Sequence, residues 1–290
     1  MVTTAHTEQY RNLTVHGVDV SHWQSAVNWD KYRDDGGEFV IIKHSGANIG
    51  RMYVSDSIDT HLESARDAGM KIGYYYVVNG HLDALEQAKF FVDNVKKIIK
   101  PGDIVALDNE SLDRGIRFDA RQARQWLEYV EDKLDLIPFF YSYPSLIRSI
   151  DWGDIPQRYP LWLAAFNRND GTTNGGFEKH LDQWDKPTIW QYSSNGRIEG
   201  YGSRIDVNLA LPGVFDRYGY KTDSEPVEPA PEVEEGGLEL PKTAIDGIAG
   251  PITWKRLQTW LKEHWGYSGR IDGIPGPLTW RAMQRFANSL

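Results

Sequence analysis

The chain has 290 residues and no cysteine. That removes disulfides, cysteine-ligated zinc and a thiol nucleophile in one step, and it leaves the redox compartment open. No run approaches the roughly 18 apolar residues that a membrane span needs, so membrane insertion is not expected. The first segment, Met1 to Leu13, is polar. It lacks the apolar stretch of a secretory leader, and the expectation is no signal peptide. The eight histidines form no H-E-x-x-H and no close pair, and there is neither a P-loop nor a G-x-S-x-G. A net charge of −9 argues against a nucleic-acid partner. No cofactor is called for, and a monomer is the default.

Aromatic residues are plentiful, with 11 Trp, 15 Tyr and 10 Phe. They supply either a Trp-rich core or flat apolar faces on which sugar rings stack, and composition alone favours the core. Charge is spread unevenly. Residues 238–290 hold 7 basic against 4 acidic side chains, whereas residues 221–237 hold one lysine against 6 acids.

That second stretch, with DSEPVEPAPEVEEGG at 223–237, is the clearest boundary. It is too poor in apolar residues to bury a core and reads as an extended, self-repelling linker. The expected layout is a large domain over 1–220, the linker over 221–237 and a small module over 238–290. In the large domain, eight strand-like runs begin near His16, Phe39, Lys71, Ile104, Ile137, Leu161, Pro187 and Arg204. Helical stripes separate the earlier ones. Ala123, Trp126, Leu127, Val130 and Leu134 lie behind Asp119 and Gln122, and Leu85, Ala88, Val92, Val95 and Ile99 lie behind Asp83 and Glu86. A further helix is expected from about Ile58 to Ala68. After the fifth strand the connections turn Gly-, Asn- and Asp-rich. The fold class is therefore α/β: a modified parallel TIM-type barrel, (β/α)5(β)3, with an open doubly wound sheet as the alternative. The small module is all-α and repeats itself, since IDGIAGPITWKRLQTWL at Ile245 returns as IDGIPGPLTWRAMQRFA at Ile271, an offset of 26 residues. Core packing is the first expectation for each of its tryptophans.

A parallel barrel does its chemistry at the carboxyl ends of its strands. Acids stand there: Asp19 in GVDVSHWQ, Asp108 and Glu110 in LDNE, and Asp206 in RIDVN. Asp108 and Glu110 are two apart and share a face with Ala106. Gathering carboxylates inside a barrel is costly, and repulsion with desolvation raises the pKa of at least one. A protonated acid beside an ionised one equips a site for glycoside hydrolysis. A pair of solvated strand-end acids, or a carboxylate site for Mg²⁺ or Ca²⁺, fits the same spacing. Tyr75, Tyr141, Trp162, Trp190 and Tyr192 cluster at the same ends and suit a polysaccharide, although about half of such aromatics should fill the layer between barrel and helices.

Taken together, GVDVSHWQ with Trp29, FVIIKHSG, KIGYYY, VALDNE, LWLAAF, IWQYSS and IDVN resemble, in order, the glycoside hydrolase family 25 lysozymes, the Chalaropsis-type muramidases. The resemblance covers residues 16–210. It implies an N-acetylmuramidase that cuts the β-1,4 bond between N-acetylmuramic acid and N-acetylglucosamine in bacterial peptidoglycan. It makes Glu110 the general acid/base and Asp108 either the nucleophile or the partner of the substrate N-acetyl group. Asp19 and Asp206 become supporting acids, and Tyr75, Tyr141, Trp162, Trp190, Tyr192 and Asn208 substrate contacts. No metal is implied. The chain departs from the family at Tyr76-Val77 and Ala165-Phe166. The tail resembles PGBD1-type peptidoglycan-binding modules, which points to Asp246, Trp254, Asp272 and Trp280 as wall contacts. Such a layout is similar to a bacteriophage endolysin, made in the host bacterial cytoplasm and released to the wall by a holin. A bacterium exporting it by another route is the alternative owner. Competing functions are a glycosidase of the same fold acting on another N-acetylated glycan such as chitin, and an inactive wall-binding protein.

Overall fold

The computed structural model describes residues 12–221 and 250–289, apart from 49, 111–116, 178–182, 268–270, 272, 274 and 276. The chain divides into two compact units, Met1–Lys221 and Thr222–Leu290.

The first unit is a closed barrel with an added strand. Its strands are β1 (Val15–Val20), β2 (Phe39–Asn48), β3 (Arg51–Val54), β4 (Lys71–Val77), β5 (Ile104–Asp108), β6 (Phe139–Ser142), β7 (Leu161–Ala164), β8 (Ile189–Gly196) and β9 (Ile205–Ala210). Strands β1, β2 and β4 to β8 follow one another in parallel register. The barrel closes through β9, which lies antiparallel to both β8 and β1. The expected eight strands of the (β/α)5(β)3 barrel are all present. One expectation is corrected: the barrel is mixed rather than parallel, because only the short connection from Arg197 to Arg204 separates β8 from β9, and so short a connection turns the chain back on itself. Among the described residues one strand is added to the eight, because β2 runs on past the barrel and folds back as a hairpin with β3.

Helices cover the outside of the early strands: α1 (Trp29–Asp34), α2 (Ser57–Asp67), α3 (Ala84–Val95), α4 (Ala120–Leu134), α5 (Pro144–Ser149) and α6 (Ile155–Arg158). A short α7 (Val214–Tyr218) follows β9. The start of α4 is fixed by a reciprocal capping box between Asp119 and Gln122. Asp83 caps α3 by accepting the Glu86 backbone N–H. The stripe expected on α4 is the stripe that is buried. On α3 the buried face is rotated: Gln87 and Phe91 are inside, and Leu85 is only half-buried.

Strand alternation separates two cores. Val105, Leu107, Phe140 and Leu163 face outward with Phe91 and Trp126 in the layer under the helices. Ile104, Ala106, Phe139, Tyr141 and Trp162 face inward with Phe39, Ile41 and Tyr75. The inner cluster fills the lower barrel. At its base the Phe39 ring lies against the β1 backbone at Gly17, where an added Cβ would stand 2.3 Å from ring atoms, so only glycine fits.

The second unit shows two helices, α8 (Pro251–Trp265) and α9 (Pro277–Ala287). They meet through Leu261, Tyr267 and Ala282. Gln258 bridges the two copies of the repeat by accepting the Gly273 N–H at 2.8 Å. The expectation that each tryptophan is core is corrected for two of them. Trp260 and Trp280 are exposed, because so small a pair of helices has too little interior to enclose them.

Candidate active site

The inward positions of β1, β2, β5 and β9 bring the predicted acids to one end of the barrel. Asp19 and Asp206 are direct cross-strand partners in the β1–β9 pair. Asp108 lies beside Val77 on β4 and Tyr141 on β6. Lys43 projects from β2 opposite Tyr75. Glu110 follows β5 immediately and is placed by its neighbour Asn109. That residue is fully buried: its amide accepts the Phe118 N–H at 2.9 Å and donates to the Phe118 carbonyl at 3.2 Å, and its N–H donates to Tyr141 O at 3.0 Å. Asp19, Asp108 and Lys43 are buried, whereas Glu110 and Asp206 are half-buried. The group forms a cluster that opens at the barrel mouth.

Like charges held this close cannot all ionise. Burial pushes the Glu110 carboxyl up to about 7, with repulsion from Asp19 adding to it. Burial and repulsion from Asp19 and Glu110 lift Asp206 to about 8. Asp108 is pushed well above the usual range by burial and by Glu110, with Lys43 opposing. Asp19 rises least, to about 6, because two hydrogen bonds offset part of its burial. The cluster therefore keeps protons into the neutral range, and Asp19 is the acid best equipped to be ionised.

Those two hydrogen bonds come from amides whose orientation is set further out. Trp162 Nε1, which can only donate, donates to Asn208 Oδ1 at 2.8 Å, so Asn208 Nδ2 is the group turned to Asp19 Oδ2 at 2.7 Å. The Tyr141 hydroxyl donates to Gln191 Oε1 at 3.0 Å, and Gln191 Nε2 donates to the same Asp19 oxygen at 2.7 Å. Tyr141 and Trp162 meet at a tilt of 58° with ring centres 4.4 Å apart, and Tyr75 meets Trp162 edge-on at 6.0 Å. Asp108 differs from Asp19 in that its Oδ1 is buried with no hydrogen-bond partner. An orphaned carboxylate oxygen at the floor of an open mouth is suited to receive a group from a ligand.

Several sequence expectations are relocated. Trp190 and Tyr192 do not line this interior. Trp190 packs on Phe177 in the outer layer and donates to Ala165 O, and Tyr192 lies against the same layer, because Gln191 between them takes the inward position. Asn208 is 1% exposed with both polar arms occupied, so it holds Asp19 rather than offering a surface to substrate. Trp162 is likewise buried, and Tyr75 and Tyr141, each 8% exposed, are the aromatics nearest the acids. Lys43 and Gln191 were missed. The alternation that picked out Asp108 also places Lys43 inward, two residues beyond Ile41, and a lone basic residue in an apolar strand run was the available signal. Among the described residues no group of three or more His, Asp or Glu is arranged to hold a metal ion. In the second unit Trp254 is half-buried and meets the exposed Trp280 at 5.7 Å, while Asp246 and Asp272 lie outside the described residues.

A barrel mouth with two half-buried acids, Glu110 and Asp206, that hold protons into the neutral range beside the buried Asp19 and Asp108 is equipment for acid-assisted cleavage of a glycosidic bond. Comparison with known proteins agrees. An uncharacterized protein, YegX, of Escherichia coli O6:H1 is 29% identical over 72% of this chain and 74% of its own length. Lysozyme M1 of Streptomyces globisporus is 26% identical over 67% of each chain. The crystal structure of a lysozyme from Streptomyces coelicolor superposes with a TM-score of 0.58 at 23% identity, over 70% of this chain and 95% of that one, which shows the shared fold. The family model for Glycosyl hydrolases family 25 matches residues 18–201, and the chain belongs to that family of glycoside hydrolases.

Proposed function

We propose that the protein is an N-acetylmuramidase that hydrolyses the β-1,4 bond between N-acetylmuramic acid and N-acetylglucosamine in bacterial peptidoglycan. The observation that carries the reading is the pairing of Glu110, half-open and protonated up to about pH 7, with Asp108, buried beneath it with one oxygen unpartnered. Glu110 donates its proton to the glycosidic oxygen as the C–O bond breaks, and the leaving sugar departs as an alcohol. Positive charge develops at the anomeric carbon and is met by Asp108 in its ionised form, which the neighbouring Lys43 favours against burial, either directly as nucleophile or through the substrate N-acetyl group. Glu110, now a carboxylate, takes a proton from the water that completes hydrolysis and is restored. Burial and repulsion from Asp19 keep the proton on Glu110, Asp206 stands beside them as a further protonated acid, and Tyr75 and Tyr141 wall the sugar. The lysozyme names among the relatives support the substrate class.

Analysis of reducing ends after digestion of purified peptidoglycan tests this. New muramic-acid ends are expected. New glucosamine ends, or activity confined to chitin, would overturn the assignment.

The tail unit is proposed to hold the enzyme on its insoluble substrate through Trp280 and Trp260, the two exposed indoles of α8 and α9. Such a module raises local concentration without touching the chemistry. Removal of residues 222–290 is expected to slow lysis of whole walls about tenfold or more by that effect, while cleavage of soluble glycan fragments holds. Equal lysis by the shortened and full chains would remove this role.

A further inference from the structure

Strand β3 and the loop after β1 line a recess outside the acid cluster. Trp23 in that loop is 79% exposed, the most exposed of the described large apolar side chains. The loop beneath it is pinned. Ser21 N–H donates to Gln24 Oε1 at 2.8 Å, Trp23 N–H donates to Ser21 Oγ at 3.3 Å, and the Gln24 carbonyl contacts the ring of the fully buried His61 at 3.2 Å. The backbone is anchored and the indole is left facing water, which costs apolar exposure with no return from the fold. Among the described residues its ring neighbour is His22, 4.5 Å away.

His22 also lines this recess, of about 450 Å³, together with Arg51, Tyr53 and Asp56. This recess adjoins the acid cluster through Lys43, whose ammonium lies 5.7 Å from the Tyr53 ring centre and acts electrostatically on both Asp108 and Glu110. Its two full charges are unspent. Arg51 is exposed on the hairpin and makes none of the ion pairs found among the described residues. Asp56 stands at the start of α2 without capping it. A neutral sugar chain needs neither charge, and a polyanion would be repelled by Asp56. A ligand bearing both carboxylate and amine matches both, and a guanidinium grips a carboxylate in bidentate fashion.

We propose that this rim is a second binding region which takes the peptide stem carried by the muramic acid lactyl group, with Arg51 on a stem carboxylate, Asp56 on a stem amine and Trp23 stacked on a neighbouring sugar. The proposal rests on the muramidase reading and extends it from glycan to peptide. The test compares peptidoglycan chains bearing stems with the same chains freed of stems by an amidase. Arg51→Ala is expected to raise the ratio of KM for stem-bearing over stem-free chains about tenfold, the scale of one charge-assisted hydrogen bond, with kcat on stem-bearing chains held. Trp23→Ala is expected to raise KM on both. N-acetylation of the stem amine should weaken binding to the parent protein and not to Asp56→Asn. An unchanged ratio in Arg51→Ala overturns the proposal, and insensitivity of both proteins to acetylation overturns the Asp56 contact. Failure of the muramidase reading is distinguishable, because the parent protein would then cut neither chain. Calorimetry with a disaccharide-peptide fragment still reads the recess in that case: binding lost in Arg51→Ala supports it, and no binding to the parent protein overturns it.

Discussion

Glu110→Gln is expected to fold as the parent protein does and to lose about 10²–10⁴-fold in turnover, the usual contribution of a positioned general acid. Gln keeps the shape and removes the proton. The backbone that places residue 110 is held by Asn109, through Phe118 and Tyr141, and none of those contacts involves the Glu110 side chain. Loss of rate with no loss of stability is therefore the expected pattern. The pH profile adds a second check. With its carboxyl raised to about 7, Glu110 carries its proton below that value and loses it as pH rises through it. Activity of the parent protein should fall above about pH 7, and the residual activity of Glu110→Gln should show no such limb. Asp19→Asn removes a repelling charge, so the limb should move to lower pH. Near-parent turnover in a folded Glu110→Gln protein would end the assignment of Glu110 as the acid.

How much of this site was legible in the sequence depends on which face of a strand a residue occupies. Strand alternation around Ala106 placed Asp108 inside, because that face is dictated by a buried run with a period of two. The same rule applied to β8 would have set Gln191 against Trp190 and Tyr192. The aromatics drew attention instead, since indoles and phenols suit both a sugar cleft and the layer under helices. The hairpin formed by β3 was not legible. Arg51 to Val54 is short and exposed, and its pairing depends on β2 outrunning the barrel. The direction of β9 was hidden for a related reason. Whether a strand closes a barrel parallel or antiparallel is set by its connection, and the Gly-rich segment before Arg204 has no periodicity to read. In the tail the repeat was plain in sequence. The fate of its tryptophans was not, because two copies of one helix cannot both be enclosed by so small a core.

Asp108→Asn should pull activity and stability in opposite directions. Activity is expected to drop by two orders of magnitude or more, on the scale of lost nucleophilic or electrostatic stabilisation at a developing cation. An amide can neither attack the anomeric carbon nor balance its charge. Stability is expected to rise at neutral pH. The carboxyl is 4% exposed, one of its oxygens has no partner, and burial is the largest cause of its raised pKa, with Lys43 only a partial offset. A carboxyl whose folded pKa is raised binds its proton more tightly folded than unfolded, so stability falls as pH climbs from the ordinary carboxylate range toward the raised value. Removing the titration should therefore raise Tm at pH 7. Near pH 3.5 the carboxyl is protonated in both states, and the gain should shrink toward zero. Thermal unfolding of the two proteins at both pH values reads this directly. A variant less stable at pH 7 would mean that the Asp108 charge is held by Lys43 as a structural ion pair. Combined with retained activity, that result would move the reaction away from Asp108 altogether.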